Sequence, residues 1–220
     1  MTKTAQSLIL VVIPTFNEKE NIASLIQVVT SQDERIHVLV VDDNSPDGTA
    51  AVVRPLAGER VHLVVRTQGK SGRGSAVRAG FEWGLKSELP FEYFVEMDSD
   101  FSHRPAELKT ALALLEGAPK DKPVIVLGSR YQQQSKIVGW PASRRVFSRF
   151  ANLLARTLIG NLVTDFTNGY RLYNRKTVDL ILKAPQKYKG YIYLSEVLCE
   201  LVRNGAEIKE FATVFENRTR

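Results

Sequence analysis

Cysteine is nearly absent: Cys199 is the single one in 220 residues, so no internal disulfide can form and nothing points to an oxidising compartment. Cys199 sits in an apolar helical pattern, where a small hydrophobic filler accounts for it better than a nucleophile does. Long hydrophobic runs are missing too, and none approaches the length needed to cross a bilayer. Residues 1–7 are polar and few apolar positions precede Asn17, a pattern that fits neither a signal peptide nor a membrane span. There is no internal repeat, no low-complexity tract, no convincing linker and no obvious catalytic histidine. Helix-turn-helix and RNA-binding signatures are also lacking, and the basic residues lie among acidic motifs rather than in one long stripe, which sets nucleic acid aside as a partner. What remains is 44% hydrophobic and 25% charged, with a net charge of +6 and a pI near 9.4. That is an ordinary globular composition with a bias toward anionic partners. The length suits one domain with a sizeable core.

The stretch Tyr93-Phe-Val-Glu-Met-Asp98-Ser-Asp100 organises the chain. A β-prone apolar run ends in two carboxylates spaced i, i+2, as expected of a buried strand that delivers acids into a crevice. Carboxylates placed together repel unless a cation lies between them, and a hard divalent ion sharing a diphosphate is the usual solution. Taken alone, the pair also fits a polar turn capping the next helix.

The rest of the first half alternates strand and helix. Leu8–Ile13 is a continuous aliphatic run, as in a parallel strand buried on both faces. Asn17 with Glu20 resembles a helix N-cap and its reciprocal partner, and Ile22, Leu25, Ile26 and Val29 follow at helical spacing. Strand 36–41 ends in the acidic turn Asp42-Asp43-Asn44-Ser45-Pro46-Asp47-Gly48; the helix after it is interrupted by Pro55, and 61–65 is a third strand. Gly69-Lys70-Ser71-Gly72-Arg73-Gly74 then opens a helix and can collect anionic oxygens, although it matches neither a Walker A loop nor a dinucleotide fingerprint. His103 is a third candidate ligand, with a plain polar turn as the blander account. Pro105 suits the first turn of a helix through Leu108, Leu112 and Leu115. Strand 124–127 ends in Gly128-Ser-Arg-Tyr131. The pattern predicts an α/β domain with a mainly parallel sheet whose motifs converge on one edge.

The character changes over 141–158. Phe147, Phe150, Ala151, Leu154 and Leu158 form one stripe of a helix, and Arg145, Arg149 and Arg156 another, with Arg144 and Ser148 adjacent. Such a helix can lie on an anionic membrane or grip a phosphate; it can equally pack on a core with a solvated basic face. A turn from Asp165 runs into an alternating strand. Leu194, Val197, Leu198, Leu201 and Val202 mark a further helix with Gly205 as its C-cap, and 208–215 is strand-like.

The combination resembles inverting glycosyltransferases of the GT-A fold (glycosyltransferase family 2), and within them the dolichol- or polyprenol-phosphate mannose synthases. The residues that carry it are Val12-Ile-Pro-Thr-Phe-Asn-Glu18 with Asn21, Val41-Asp-Asp-Asn-Ser-Pro-Asp-Gly-Thr49, Gly69-Lys-Ser-Gly-Arg-Gly74, Met97-Asp-Ser-Asp-Phe-Ser-His103 with Pro105, Gly128-Ser-Arg-Tyr131, Trp140, Arg144, Ser148, Asn152, Asp165-Phe-Thr167 and Tyr170-Arg-Leu-Tyr173. The resemblance covers nearly the whole chain. It implies a three-layer α/β/α sandwich over 1–220, with a Rossmann-like nucleotide-sugar half over about 1–135 and an acceptor half over about 136–220.

By the resemblance, Pro14, Phe16, Glu18, Val41, Asp43, Lys70 and Ser99 contact the donor. Asp98 and Asp100 hold a divalent metal, Mg2+ or Mn2+, and the donor diphosphate, with Ser102 near the metal. Arg130, Arg144 and Ser148 meet the acceptor phosphate, Arg130 and Arg144 also the donor, and Arg218 closes over it. Asp98, Asp100, Arg130 and Arg144 are the expected catalytic set. The implied partners are GDP-mannose, or another nucleotide sugar such as UDP-glucose, and a polyprenyl phosphate reached peripherally from the cytoplasmic side of a membrane. Phe16 stands where many relatives have tyrosine. The family continues past Arg218 into Gly-x-Ser-Lys, whereas this chain stops at Arg220, so a missing segment or a membrane-anchoring partner is expected. A phosphate acceptor is already ionised at neutral pH, so no general base is needed, in line with the lack of a catalytic histidine. A catalytically silent sugar-nucleotide-binding subunit is the competing expectation, against which the intact acid pair and arginines argue.

Overall fold

The computed structural model describes residues 7–216 apart from Lys189 and Tyr191, and leaves out the side chain of Leu158. Arg218 therefore lies outside the described residues. The first strands follow the aliphatic runs: β1 (Leu8–Thr15), β2 (Ile36–Asp42), β3 (Val61–Val65), β4 (Phe91–Glu96) and β5 (Val124–Ser129). Between and after them lie α1 (Ile22–Thr30), α2 (Thr49–Val53), α3 (Arg73–Lys86) and α4 (Leu108–Glu116). The second half adds β6 (Lys136–Val138), α5 (Ala142–Ile159), β7 (Arg171–Asn174), α6 (Arg175–Lys183), α7 (Tyr193–Arg203), β8 (Glu207–Ala212) and β9 (Val214–Glu216).

One seven-stranded sheet runs through both halves in the order β3-β2-β1-β4-β7-β5-β8, and β6 pairs with β9 in a short separate ribbon. β7 runs antiparallel to both neighbours, and the other pairings in the sheet are parallel. Side-chain alternation divides the core into two faces. Ile9, Val11 and Ile13 of β1 join the cluster under α1 and α4, while Leu10 and Val12 join the one under α3, α6 and α7. This is the α/β/α layering that the resemblance implies, built on the mainly parallel sheet that the alternation predicts. Strand order reverses at β1, whose neighbours are β2 and β4, and such a reversal opens a crevice beyond the carboxyl ends of the strands.

One local expectation is corrected. Asn17 does not cap a helix: it takes a left-handed conformation, φ 62°, and its N–H donates to Ser45 Oγ. The N–H of Glu18 donates to Thr49 Oγ1, so the segment is pinned to the acidic turn and α1 starts only at Ile22. Pro55 does break its helix, since α2 gives way to a 3-10 turn over Arg54–Leu56. The helix α6, unread in the sequence, is capped by Asn174, whose side chain accepts the Thr177 N–H.

Helix α3 lies unusually close to the sheet. A Cβ at Gly80 would overlap Cγ1 of Val12, and one at Gly84 would come within 2.5 Å of Leu10 Cδ2. These contacts set the height of the glycine-rich turn over β1. Two effects compete in Gly80→Ala: helix propensity favours alanine by about 1 kcal/mol, and overpacking costs about 1–3 kcal/mol. Overpacking should win, lowering the urea midpoint of Gly80→Ala without changing the m-value; a raised midpoint would show that α3 can lift away from β1.

Candidate active site

The carboxyl ends of β1, β2 and β4 enclose a cavity of about 280 Å³. Pro14, Phe16, Glu18, Asp43, Lys70, Asp98, Ser99 and Asp100 all line it, together with Thr15, Gly72, Arg73 and Ala76. Among the described residues three non-glycine positions take left-handed φ, and each follows one of these strands: Asn17, Asn44 and Phe101 at 62°, 54° and 61°. Asparagine tolerates this conformation and phenylalanine does not, so the turn that carries Asp98 and Asp100 is held by its surroundings.

The acids of the Asp42–Asp47 turn divide their work. Asp42 is wholly buried and accepts from Thr15 Oγ1, Ser45 Oγ and the Ser45 N–H. Asp47 accepts from the N–H groups of Lys19 and Thr49. Asp43 alone of these acids faces the cavity, and it already holds Arg66 Nε at 2.6 Å and the Ser71 N–H at 3.0 Å. It therefore anchors the glycine-rich loop to β2. Lys70 of that loop stands 4.8 Å over the Phe16 ring, so the residue without a hydroxyl supports a cation instead. Val41 is fully buried, with its side chain in the core beneath α3.

Arg73 is the residue that joins these parts. Its Nη1 donates to Glu96 at 2.9 Å, its Nε to Asp98 Oδ1 at 2.8 Å and its Nη2 to the Gly169 carbonyl at 3.0 Å. Gly169 has to be glycine, because a Cβ there would meet the guanidinium. Glu96 has no exposed surface and also accepts the Tyr173 hydroxyl. Burial, the largest influence, raises the Asp98 pKa. The charge and hydrogen bond of Arg73, with the charge of Arg130 adding, together outweigh it and hold the carboxyl down to about 2.

His103 is neither a ligand nor an exposed turn residue. It is 1% exposed, stacks on Tyr170, and accepts the Asp98 N–H on Nδ1. Nε2 therefore carries the hydrogen toward Asn168 Oδ1, and burial lowers the pKa of this neutral ring. Ser102 is 3% exposed and off the cavity wall; its N–H donates to Asp100 Oδ1 at 3.1 Å.

The donor set on offer to a metal is thus Asp98 Oδ2 and the Asp100 carboxylate. No group of three or more His, Cys, Asp or Glu able to hold an ion occurs among the described residues. Two carboxylates fit a hard divalent ion that completes its shell with substrate phosphate and water.

A second group lies beyond β5. Arg130 is 8% exposed; its Nε and Nη2 form a bidentate pair with Asp165 at 2.7 and 2.9 Å, and Nη2 also reaches Thr167. Nη1 makes no hydrogen bond among the described residues. The Trp140 ring carries two cations, Arg130 at 5.1 Å and Arg144 at 4.3 Å. The Tyr131 hydroxyl donates to Ser148 Oγ at 2.6 Å. Arg130, Arg144 and Ser148 therefore gather around one strand end and the start of α5, apart from the cavity that holds Asp100. The groups communicate through Arg130, whose charge contributes to the low pKa of Asp98. Sequence reasoning gave Arg73 only the general task of its glycine-rich loop, collecting anionic oxygens, and the structure spends its guanidinium on Glu96, Asp98 and the Gly169 carbonyl; Asp165, Trp140 and Asn152 were not given roles.

A family model described as glycosyl transferase family 2 matches residues 10–182. The polyprenol monophosphomannose synthase of Mycolicibacterium smegmatis is 38% identical over 212 residues, 95% of this chain and 77% of that protein. The undecaprenyl-phosphate mannosyltransferase of Micrococcus luteus is 37% identical over 212 residues, 96% of this chain and 84% of that protein. Among solved structures, a glucosyl-3-phosphoglycerate synthase from Mycobacterium tuberculosis, in complex with Mn2+, UDP-glucose and phosphoglyceric acid, superimposes with a TM-score of 0.70. Identity there is 19%, over 98% of this chain and 73% of that one, and the likeness shows the fold, GT-A.

Removing Arg73 takes from the buried Glu96 the cation it is paired with. Arg73→Ala should cost about 3–5 kcal/mol in denaturant unfolding, and adding Glu96→Gln should recover part of it. Asp98 gives a pH signature. Its folded pKa lies below the unfolded value, so its stabilisation is present above about pH 4 and is lost as pH falls through about 2. The stability difference between wild type and Asp98→Asn should therefore shrink by about 2 kcal/mol between pH 5 and pH 2.

Proposed function

The chain belongs to glycosyl transferase family 2, and on that footing we propose that it moves mannose from GDP-mannose to the phosphate of a polyprenol, with inversion at the anomeric carbon. The polyprenyl-phosphate acceptor and the sugar follow the names of the two relatives that match nearly all of the chain. The observation that carries the reading is the pairing of two charged groups: carboxylates Asp98 and Asp100 on one cavity, and arginines Arg130 and Arg144 on one indole beside it.

The nucleotide lies against Pro14, Phe16, Glu18 and Asp43, with Val41 contributing through its backbone and Lys70 facing the diphosphate. A Mg2+ or Mn2+ ion held by Asp98 and Asp100, with Ser102 fixing Asp100, supplies charge to offset what builds on the leaving diphosphate. The solved neighbours of this fold include complexes with Mn2+ and with Mg2+. Arg73 keeps Asp98 ionised and fixes its rotamer, so the acid does not reorganise during transfer. On the other side, Arg130 and Arg144 bring the acceptor phosphate toward a site already rich in negative charge, and Ser148 orients it. The phosphate attacks as an anion, so no protein group has to take up a proton. Arg218 closing over the donor belongs to this proposal also.

The lipid must be met at a surface. Among the described residues no helix is long and apolar enough to cross a membrane. α5 instead presents Val146, Phe147, Phe150, Leu153 and Leu154 to solvent, Phe147 at 74% exposure and Phe150 at 62%. Such a face beside arginines fits peripheral contact with a bilayer on its cytoplasmic side.

A panel of nucleotide sugars assayed with a short-chain polyprenyl phosphate tests the donor, and transfer from GDP-mannose is expected. Asp100→Ala should abolish both transfer and its dependence on metal, and Arg144→Ala should lower turnover by about 100-fold. Full activity of Asp100→Ala in chelator would sink the mechanism. The double substitution Phe147→Ser/Phe150→Ser should weaken sedimentation with vesicles about 10-fold or more while leaving the melting temperature unchanged, since neither ring is packed.

A further inference from the structure

The helix α5 borders a second, larger cavity of about 540 Å³, between its own flank and the segment that follows β5. Arg145, Arg149 and Arg156 line it, spaced i, i+4, i+11 so that they share one stripe, and Arg130 closes its inner end. The charge is unbalanced. Arg130 is paired with Asp165, but Arg145, Arg149 and Arg156 have no carboxylate partner among the described residues. Arg145 spends an N–H on the Ile137 carbonyl, Arg156 donates to Asn161 Oδ1, and Arg149 makes no hydrogen bond among the described residues. Glu210 is not part of the lining and already accepts the N–H and hydroxyl of Thr164, which is. Guanidiniums around one cavity repel each other, and an anion between them removes that cost.

The cavity is also lined by apolar groups, Leu153 and Ile137, and Leu153 is 58% exposed. It continues on the helix surface into Phe150 and Leu154. A free anion needs no apolar rim, and a bare apolar chain needs no arginines. An amphiphile with an anionic head uses both.

We propose that this cavity is an anion site separate from the metal-side cavity, and that it takes the phosphate headgroup of a lipid whose chain leaves along the exposed face of α5. That the lipid matters to the reaction rests on the transferase reading above; the anion site rests on the arginine geometry alone. Arg130 lies at both this site and the group that faces Asp98, so a headgroup held here is one residue removed from the reacting centre.

The test compares two full-length variants of equal charge loss. Arg145→Gln/Arg149→Gln/Arg156→Gln removes the stripe. Lys86→Gln/Lys120→Gln/Lys122→Gln removes three exposed charges at the opposite ends of the strands and serves as control. Each is measured by calorimetry with a C10 prenyl phosphate, the matching uncharged prenol and a nucleoside diphosphate, and by sedimentation with phosphatidylglycerol vesicles. The arginine variant should lose about 10-fold or more in affinity, beyond the control, with one of the two anionic lipids. Loss confined to prenyl phosphate identifies the acceptor as the occupant, and loss confined to vesicles identifies a bilayer lipid; nucleoside diphosphate affinity stays at the wild-type value in both. If the two triple variants behave alike with both lipids, or if the prenol binds as well as the prenyl phosphate and vesicle binding matches the control, the site does not exist. Wild-type protein that binds prenyl phosphate through these arginines yet transfers no sugar would keep the site and defeat the transferase mechanism.

Discussion

Glu96 ends the central strand β4 with no exposed surface, and a carboxylate in that position is tolerated only if a cation and further donors are delivered to it. Arg73 meets this demand, and doing so shapes the site. To reach Glu96 its guanidinium must lie under the glycine-rich turn, so the turn is drawn down over the sheet. Gly80 and Gly84 allow the helix to sit low enough, and Gly169 leaves room on the far side. The same guanidinium holds one oxygen of Asp98 and the carbonyl of Gly169. One buried cation therefore ties together the loop after β3, the acidic turn after β4 and the loop before β7, which come from both halves of the chain.

The electrostatic consequence is that Asp98 and Asp100 are not equivalent. Asp98 is ionised because Arg73 keeps it so, and only its second oxygen is open to the cavity. Asp100 is held by a single backbone N–H from Ser102. A cation entering this site meets one fixed acid and one that can still adjust. Beyond β5 the same design is repeated with a different pair: Asp165 fixes two nitrogens of Arg130 and leaves the third. In both places a buried partner locks a charged side chain by part of its valence and leaves the remainder facing the reaction space, which is how charge is preorganised without being neutralised.

The strands and the acid pair were legible because their signals are local. A buried parallel strand is a continuous aliphatic run, and its end is marked by Pro14, by the Asp42–Asp43 pair or by Asp98-Ser-Asp100. Most cavity-lining residues could be named because they sit within a few positions of such an end. Asn17 misled because an Asn with Glu three positions on has the form of a capping box, while the competing bonds to Ser45 and Thr49 come from residues about thirty positions away. The tasks of Arg73, Asn168 and Asp165 were missed for the same reason: their partners are set by topology, through a β7 that enters the sheet antiparallel between β4 and β5. His103 read as a polar turn residue, with a ligand as the lesser alternative, because sequence cannot show that it is buried and that its Nδ1 already accepts a backbone N–H.

The helix α5 shows where pattern stops short in principle. An apolar stripe has the same spacing whether protein or lipid covers it, so composition left both readings open. Its attachment shows how much of the stripe the protein itself uses. The inward side is narrow: Asn152 accepts the Phe166 N–H and Ser148 accepts from Tyr131, while Ala155 and Ile159 pack near the C-terminal end. Directional polar bonds fix the helix at a defined distance from the loop after β5, and the large apolar side chains are not spent on holding it. They remain available on the outside, next to the arginines that point back toward Arg130. A helix whose hydrophobic groups were needed for folding could not present them to an amphiphile; this one is held by directional polar bonds, which leaves its aromatic face free for the lipid contact proposed above.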